Sequence, residues 1–346
     1  MSNKQEEKRT EIGDLGEFGL IDRISSKFTN VNESTHKGIG DDAAVIDCGD
    51  KCQLISTDML VEGIHFDLSY MPLVHLGYKA VSVNVSDIAA MNGIPKQITV
   101  SLGLSNRFSV EAIDALYEGI KFACDDYKVD LIGGDTTASQ SGLIISITAI
   151  GEVEKENVVY RNNAKENDII CVSGDLGAAY IGLQTLEREK QVFKSNPEMQ
   201  PELTESEYVI KRQLKPTARM DVIHELKELE IVPTSMIDIS DGLASELFHI
   251  CKQSGVGVTI YEDKLPLSKE TIASAVSLNL DPITATMNGG EDYELLFTIS
   301  QSDYDKIKNH SDIFMIGYVN KKEKGRNMIS KNDQIIELKA QGWKHF

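Results

Sequence analysis

The chain has no CxxC pair, although it carries five cysteines among its 346 residues (Cys48, Cys52, Cys124, Cys171 and Cys251). An odd, scattered set argues against a zinc ribbon, a thioredoxin-type redox motif and a secreted disulfide scaffold, so reduced thiols and a cytoplasmic setting are expected. No stretch approaches the roughly 20 apolar residues of a membrane span; the longest apolar strand signal, Leu143 to Ile150, is far shorter. The first residues, MSNKQEEKRTEIGD, have no apolar core, so no secretory leader is expected. Basic residues are in the minority, 35 Lys and Arg against 54 Asp and Glu, for a formal net charge of −19. Such a surface repels nucleic acid and bare polyphosphate. The usual nucleotide motifs are missing too: there is no GxxxxGK[ST] loop and no kinase-type glycine loop with HRD and DFG elements. Only one tryptophan is present, Trp343, close to the carboxyl end.

What is present is a set of carboxylates in unusual company. Asp41 and Asp42 lie in GIGDDAAV, Asp58 in ISTDMLVEGIHF, Asp87 in NVSDIAAM, Asp135 in LIGGDTT, Asp238 and Asp241 in IDISDGL, and Glu291 and Asp292 in NGGEDYELLF. A carboxylate flanked by Gly, Ala, Ile and Val is partly desolvated, which costs several kcal/mol unless a cation or hydrogen-bond donors compensate. Clustered hard oxygens suit Mg²⁺, which joins protein carboxylates to substrate phosphates. At an effective dielectric near 20, two unit charges 4 Å apart interact by roughly 4 kcal/mol, so a bound divalent ion reverses a large repulsion. A shared metal site is the economical reading. Whether Asp41 and Asp292 themselves bind metal is left open.

Strand and helix signals alternate along the chain. Ala43–Asp47 and Cys52–Ser56 read as short strands, with Asp58 just past the second. Apolar residues at helical spacing from Pro72 to Met91 place Asp87 on a helix, and Ser109 opens another that runs to about Tyr127. Gly133, Gly134 and Asp135 read as a turn whose glycines let backbone N–H groups approach a phosphate. Ser240 and Asp241 read as a helix cap or, with Asp238 at the end of an apolar strand, as a ligand site. The expected fold class is α+β (mixed α/β) in two domains. Residues 1–12 form a tail, 13–151 the first domain, 152–168 a linker, and 169–346 an α+β layer domain with a polar surface insertion near 187–207.

Taken in order, GIGDDAAVI, STDMLVEGIHF, NVSDIAAMNG, LIGGDTT, IDISDGL, GGEDYELLF and the terminal GWKHF resemble the thiamine-monophosphate kinase family, within the aminoimidazole-ribonucleotide-synthetase-like ATP-binding superfamily. SDG and GGD are shared across that superfamily, whereas STDMLVEGIHF with GGEDYEL and GWxHF is specific to the kinases. The resemblance implies ATP-dependent phosphorylation of thiamine monophosphate to thiamine diphosphate, assisted by several Mg²⁺ ions. It also implies a homodimer whose amino-terminal sheets pair into a barrel, with ATP between the two domains. Asp42, Ser56, Thr57, Asp58, Asp87, Asp135, Asp238 and Asp241 match its metal positions. Tyr127, Gly134, Asp135, Arg161 and Ser240 match its ATP contacts; His65, Glu291 and Trp343 match its contacts with the thiamine phosphate. The sequence departs from the pattern at Asn92, where a glycine is usual, and at Asn163 and Asn167 around Arg161, where small residues or glycine are common.

No general base is expected, because an acceptor phosphate oxygen is already nucleophilic and the chemistry reduces to positioning and charge neutralisation. Two alternatives stay open at this point: another ATP-dependent synthetase of the same superfamily, and a non-catalytic nucleotide- or metal-binding sensor.

Overall fold

The computed structural model describes residues 12–201 and 203–339. Nearly all of the expected amino-terminal tail lies outside them, as does Trp343. The first half begins with helix α1 (Ile12–Ser25), followed by strands β1 (Thr35–Lys37), β2 (Ala44–Asp47) and β3 (Lys51–Val61), then helix α2 (Leu73–Ala90). Strand β4 (Ile94–Leu104), helix α3 (Val110–Tyr127), and strands β5 (Asp130–Ala138) and β6 (Ile144–Glu154) complete it. Its six strands run in the order β1-β2-β3-β6-β4-β5, antiparallel except for the β4–β5 pair. Alternation along the strands sends Leu54, Ile98, Val100, Ile145 and Ile147 to one face. There they join Leu76, Val85 and Ile88 of α2 and Leu116, Ile120 and Ala123 of α3 in one cluster.

The two helices cross through glycine. A Cβ on Gly77 would lie 2.0 Å from the Leu116 carbonyl oxygen, and one on Gly119 would lie 1.9 Å from that of Val74. The backbones of α2 and α3 are therefore in direct contact.

The second half contains β7 (Ile169–Ser173), α4 (Ala178–Ser195), α5 (Glu207–Leu214), α6 (Met220–Glu228), β8 (Ser235–Asp238), α7 (Leu243–Ser254) and β9 (Gly257–Tyr261). It continues with α8 (Lys269–Ser277), α9 (Pro282–Asn288), β10 (Leu295–Ile299), α10 (Tyr304–Ile307), β11 (Ile313–Asn320), β12 (Arg326–Ile329) and β13 (Ile335–Glu337). The sheet order is β13-β12-β9-β11-β7-β10-β8, with only β12 and β9 parallel. Cys171, Met236 and Phe297 face the same cluster as the α2 residues. Ile170, Val172, Ile237 and Leu296 face the other way, onto Leu243, Leu247 and Ile250 of α7. The molecule is thus a mixed α/β fold with two mixed sheets, and one continuous apolar cluster joins them through α2.

Several local expectations need correction. Strand β3 runs to Val61, so Asp58 lies inside a strand, not beyond one. Residues 133–135 are strand, not turn: a Cβ on Gly134 would lie 1.8 Å from the Val100 carbonyl oxygen, so the glycine serves the approach of β5 to β4. Helix α4 continues to Ser195, so the start of the polar stretch at Glu187 is helical. The cap of α7 is Gly242, leaving Ser240 and Asp241 in the connection from β8. Asn92, Asn163 and Asn167 have φ of 60°, 77° and 72°, the left-handed region that asparagine tolerates best among residues with a side chain. At Asn92, where a glycine is usual, the backbone thus has a conformation that glycine adopts freely.

Candidate active site

The carboxylates converge where the end of β8 meets the carboxyl-terminal half of α2. Oxygens of Asp42, Asp87 and Asp238 all lie within 4.8 Å of one another. Asp42 arrives on the loop before β2, Asp87 on α2 and Asp238 at the last residue of β8, so both halves contribute. Two serines hold the group: Ser56 Oγ donates to Asp87, and Ser86 Oγ donates to Asp238 Oδ2 at 2.5 Å. Asp58 stands beside them on β3, its backbone N–H bonded to Asn84 Oδ1 at 3.0 Å, and its charge is felt at both Asp87 and Asp238.

Electrostatics follow from that crowding. Burial, reinforced by the charges of Asp42 and Asp58, pushes Asp238 up to about 7, although Ser86 and Arg161 oppose the shift. Burial and the neighbouring Asp58, Asp238 and Asp42 hold Asp87 well above the ordinary carboxylate range. Like charges this close need a cation, and a hard divalent ion fits a set of short carboxylates and hydroxyls. The cation beside Asp42 in this structure is Arg161, whose Nε and Nη2 donate to its two oxygens at 3.1 and 2.5 Å. Asp41 accepts the Arg161 backbone N–H at 3.1 Å and is raised to about 6, chiefly by burial and then by Asp42.

The remaining expected residues are distributed as follows. Thr57 Oγ1 donates to the Ile147 carbonyl at 3.0 Å and accepts from Thr148. Ser240 lies beside the cluster on the β8–α7 connection, and its carbonyl accepts the Glu291 N–H at 2.7 Å. The Asp241 N–H donates to Glu246 at 3.0 Å. His65 sits in the turn after β3, its Nδ1 accepting the Val61 N–H at 3.0 Å. Tyr127 uses its hydroxyl to tie Ser82 to the Ala218 N–H, both at 2.9 Å.

Two residues stand apart from the cluster. Gly134 and Asp135 lie on the exposed edge strand β5, and across the paired strands Asp58 aligns with Ile147, Val100 and then Gly134. Three strand spacings, on the order of 14 Å in a flat sheet, separate them. Asp292 is spent elsewhere: it accepts the N–H groups of Gly177 and Ala179 at 2.6 and 3.2 Å, closing the start of α4 as a remote cap.

Sequence reasoning passed over two charged groups. Glu246 on α7 is buried, and burial with Asp241 and Asp238 nearby raises it well above its usual range. Lys79 on α2 has 0% exposure and pairs with Glu291. The signal was available. Each sits alone in an apolar run, YKAVSV and ASELFHI, the same criterion that picked out the aspartates.

Both halves match models of AIR synthase related proteins, the N-terminal domain over residues 40–153 and the C-terminal domain over 165–325. The thiamine-monophosphate kinase of Aquifex aeolicus is 36% identical over 335 residues, 97% of this chain and 99% of that one. That of Bacillus subtilis is 36% identical over 338 residues, 96% of this chain and 100% of its own. The structure of AaThiL complexed with AMPPCP and TMP superimposes with a TM-score of 0.82 at 34% identity, covering 98% of this chain and 100% of that one. Hydrogenase maturation protein HypE of E. coli, 18% identical with a TM-score of 0.67, shares the fold alone. With identity of this order extending over almost the full length of both partners, the chain belongs to the thiamine-monophosphate kinase family.

Proposed function

We propose that the protein transfers the γ-phosphate of ATP directly to the phosphate of thiamine monophosphate, giving ADP and thiamine diphosphate. The convergence of Asp42, Asp87 and Asp238 at the junction of the two halves carries this reading. Asp42, Asp58, Asp87 and Asp238, with Ser56, Thr57, Asp135 and Asp241, are the residues assigned to hold Mg²⁺. When bound, the ions supply the positive charge that offsets repulsion between two phosphate groups. Arg161 provides a fixed guanidinium beside them and, with Tyr127, Gly134 and Ser240, is assigned to ATP. His65, Glu291 and Trp343 are assigned to the acceptor. No side chain is required to take a proton, so the work of the chain is to bind, orient and exclude water. The decisive measurement is ADP release with thiamine monophosphate, thiamine, selenide or formylglycinamidine ribonucleotide as acceptor. ADP should form in proportion to thiamine monophosphate alone; release that ignores the acceptor, or prefers another, sinks the reading.

We further propose that two copies pair their first sheets about a twofold axis, and the open face of that sheet supports it. Every residue of β5 is exposed, with Leu131 at 44% and Ile132 at 58%, and Met59 of β3 is exposed on the same half. An uncovered apolar edge is a liability that pairing removes. It would also bring Asp135, remote from its own cluster, to an interface. Light scattering at micromolar concentration should return twice the 38.2 kDa chain mass. A fully active monomer would refute the pairing. No helix among the described residues is long and apolar enough to cross a membrane.

A further inference from the structure

Glu291 is gripped from both sides by residues with no role so far. The Lys79 ammonium, fully buried on the α2 face toward the second half, lies 2.9 Å from Glu291 Oε1. It is off the hydrogen-bond axis, so its donors have no aligned acceptor among the described residues. Gln213, on α5, donates through Nε2 to Glu291 Oε2 at 2.6 Å, while its own Oε1 is buried without a donor. One turn before Lys79 on α2, His75 Nδ1 is likewise buried and unpartnered. Native proteins keep few such atoms, and Lys79 and Gln213 set two of them against one carboxylate.

The backbone beneath is equally constrained. Glu291 has φ 67° and Tyr293 φ 52°, left-handed values that are strained for residues with a side chain. They persist because the Glu291 N–H is fixed on the Ser240 carbonyl at 2.7 Å and the Tyr293 N–H on that of Ile239 at 2.9 Å. Burying an ammonium also carries a desolvation penalty, which a leucine at that position would not. The Glu291 side chain nonetheless keeps 26% exposure, so it borders accessible space.

We propose that Lys79 and Gln213 are positioning residues for the acceptor substrate: they lock the Glu291 carboxylate in one orientation, presented to the cationic, amine-bearing head of thiamine monophosphate. This rests on the assignment of Glu291 to the acceptor. An unrestrained glutamate has three side-chain torsions to freeze on binding. One clamped between an ammonium and an amide has them frozen beforehand, so ligand binding is not charged for the ordering.

The test is steady-state kinetics on the full chain with Lys79→Met, Gln213→Leu, Glu291→Ala and the Lys79→Met/Glu291→Ala double variant. Each clamp variant should raise KM for thiamine monophosphate by about 3- to 10-fold, the range for ordering one long side chain on binding, and leave KM for ATP unchanged. The double variant should be no worse than Glu291→Ala alone, since the clamp acts only through that carboxylate. If Lys79→Met does not fold, Gln213→Leu carries the test, because it leaves the ion pair in place. Glu291→Ala with an unchanged KM for thiamine monophosphate would remove Glu291 from the acceptor site, and the underlying assignment with it. A raised KM in Glu291→Ala beside unchanged values in the clamp variants, or full additivity in the double variant, would overturn the clamp alone.

Discussion

Replacing Asp87 by asparagine should give a protein that resists urea better than its parent in the presence of a chelator, yet turns over on the order of a thousand times more slowly with saturating Mg²⁺. Both effects have one cause. Asp87 sits among Asp42, Asp58 and Asp238, and without a divalent ion its charge is opposed by burial and by each of them. Asparagine keeps the shape and an acceptor for Ser56, so the metal-free protein gains on the order of 1 to 2 kcal/mol from relieved repulsion. The amide is a poor ligand for a hard cation, so the gain in stability is a loss in chemistry.

The pH dependence has a fixed sign. The native carboxyl is raised well above its unfolded value, so the folded parent binds a proton that the unfolded chain has released. Its stability therefore falls as pH climbs from about 4 toward the raised value. The asparagine variant lacks that fall, and the gap between the two urea midpoints should widen from pH 5 to pH 8. Near-parental turnover would take Asp87 out of the reaction; a lower midpoint at every pH would show that the cluster is not strained by its own charge.

A second large effect is expected from a residue with no chemistry. Gly119→Ala places a Cβ 1.9 Å from the Val74 carbonyl oxygen, inside any van der Waals contact, and the obstacle is backbone on a packed helix. The helices must separate, at a cost of about 2 to 4 kcal/mol. Because α2 carries Lys79, Ser86 and Asp87, the displacement reaches the site, so turnover should fall as well as stability. The same substitution at Gly13 of α1, where a Cβ meets nothing within 4 Å, serves as the control for added bulk. Equal urea midpoints for the Gly119 and Gly13 variants would mean that the crossing yields without strain.

The motifs were readable because a charged residue in an apolar run is improbable without a partner. That reasoning located Asp42, Asp87 and Asp238 before any geometry was available. It failed where local sequence does not encode tertiary use. The SDG element reads as either a helix cap or a ligand site; the helix starts one residue later, at the cap Gly242, and the Asp241 N–H is offered to Glu246. Asp292 carried the same signature as the ligands, yet its partner is a helix start more than 100 residues away in sequence. GGD suggested a turn because glycine is favoured there; the structure uses Gly134 for strand approach, a requirement set by β4. Applying the burial criterion only to acids also hid Lys79. The asparagines at 92, 163 and 167 depart from the family pattern, and only their dihedral angles, all left-handed, show what backbone conformation they serve.

The hydrogen bond from Ser86 to Asp238 ties a helix of one half to a strand end of the other. It has a consequence for how such a gene can evolve. Neither half holds the whole acidic cluster, so a duplicated or transferred fragment would arrive without the assembled group for selection to improve. Fission into two separately expressed pieces would work only if both were made together and found each other before their shared apolar surface found something else. The family should therefore travel as an intact reading frame, diversifying by exchanging acceptor-site residues in place instead of recombining halves.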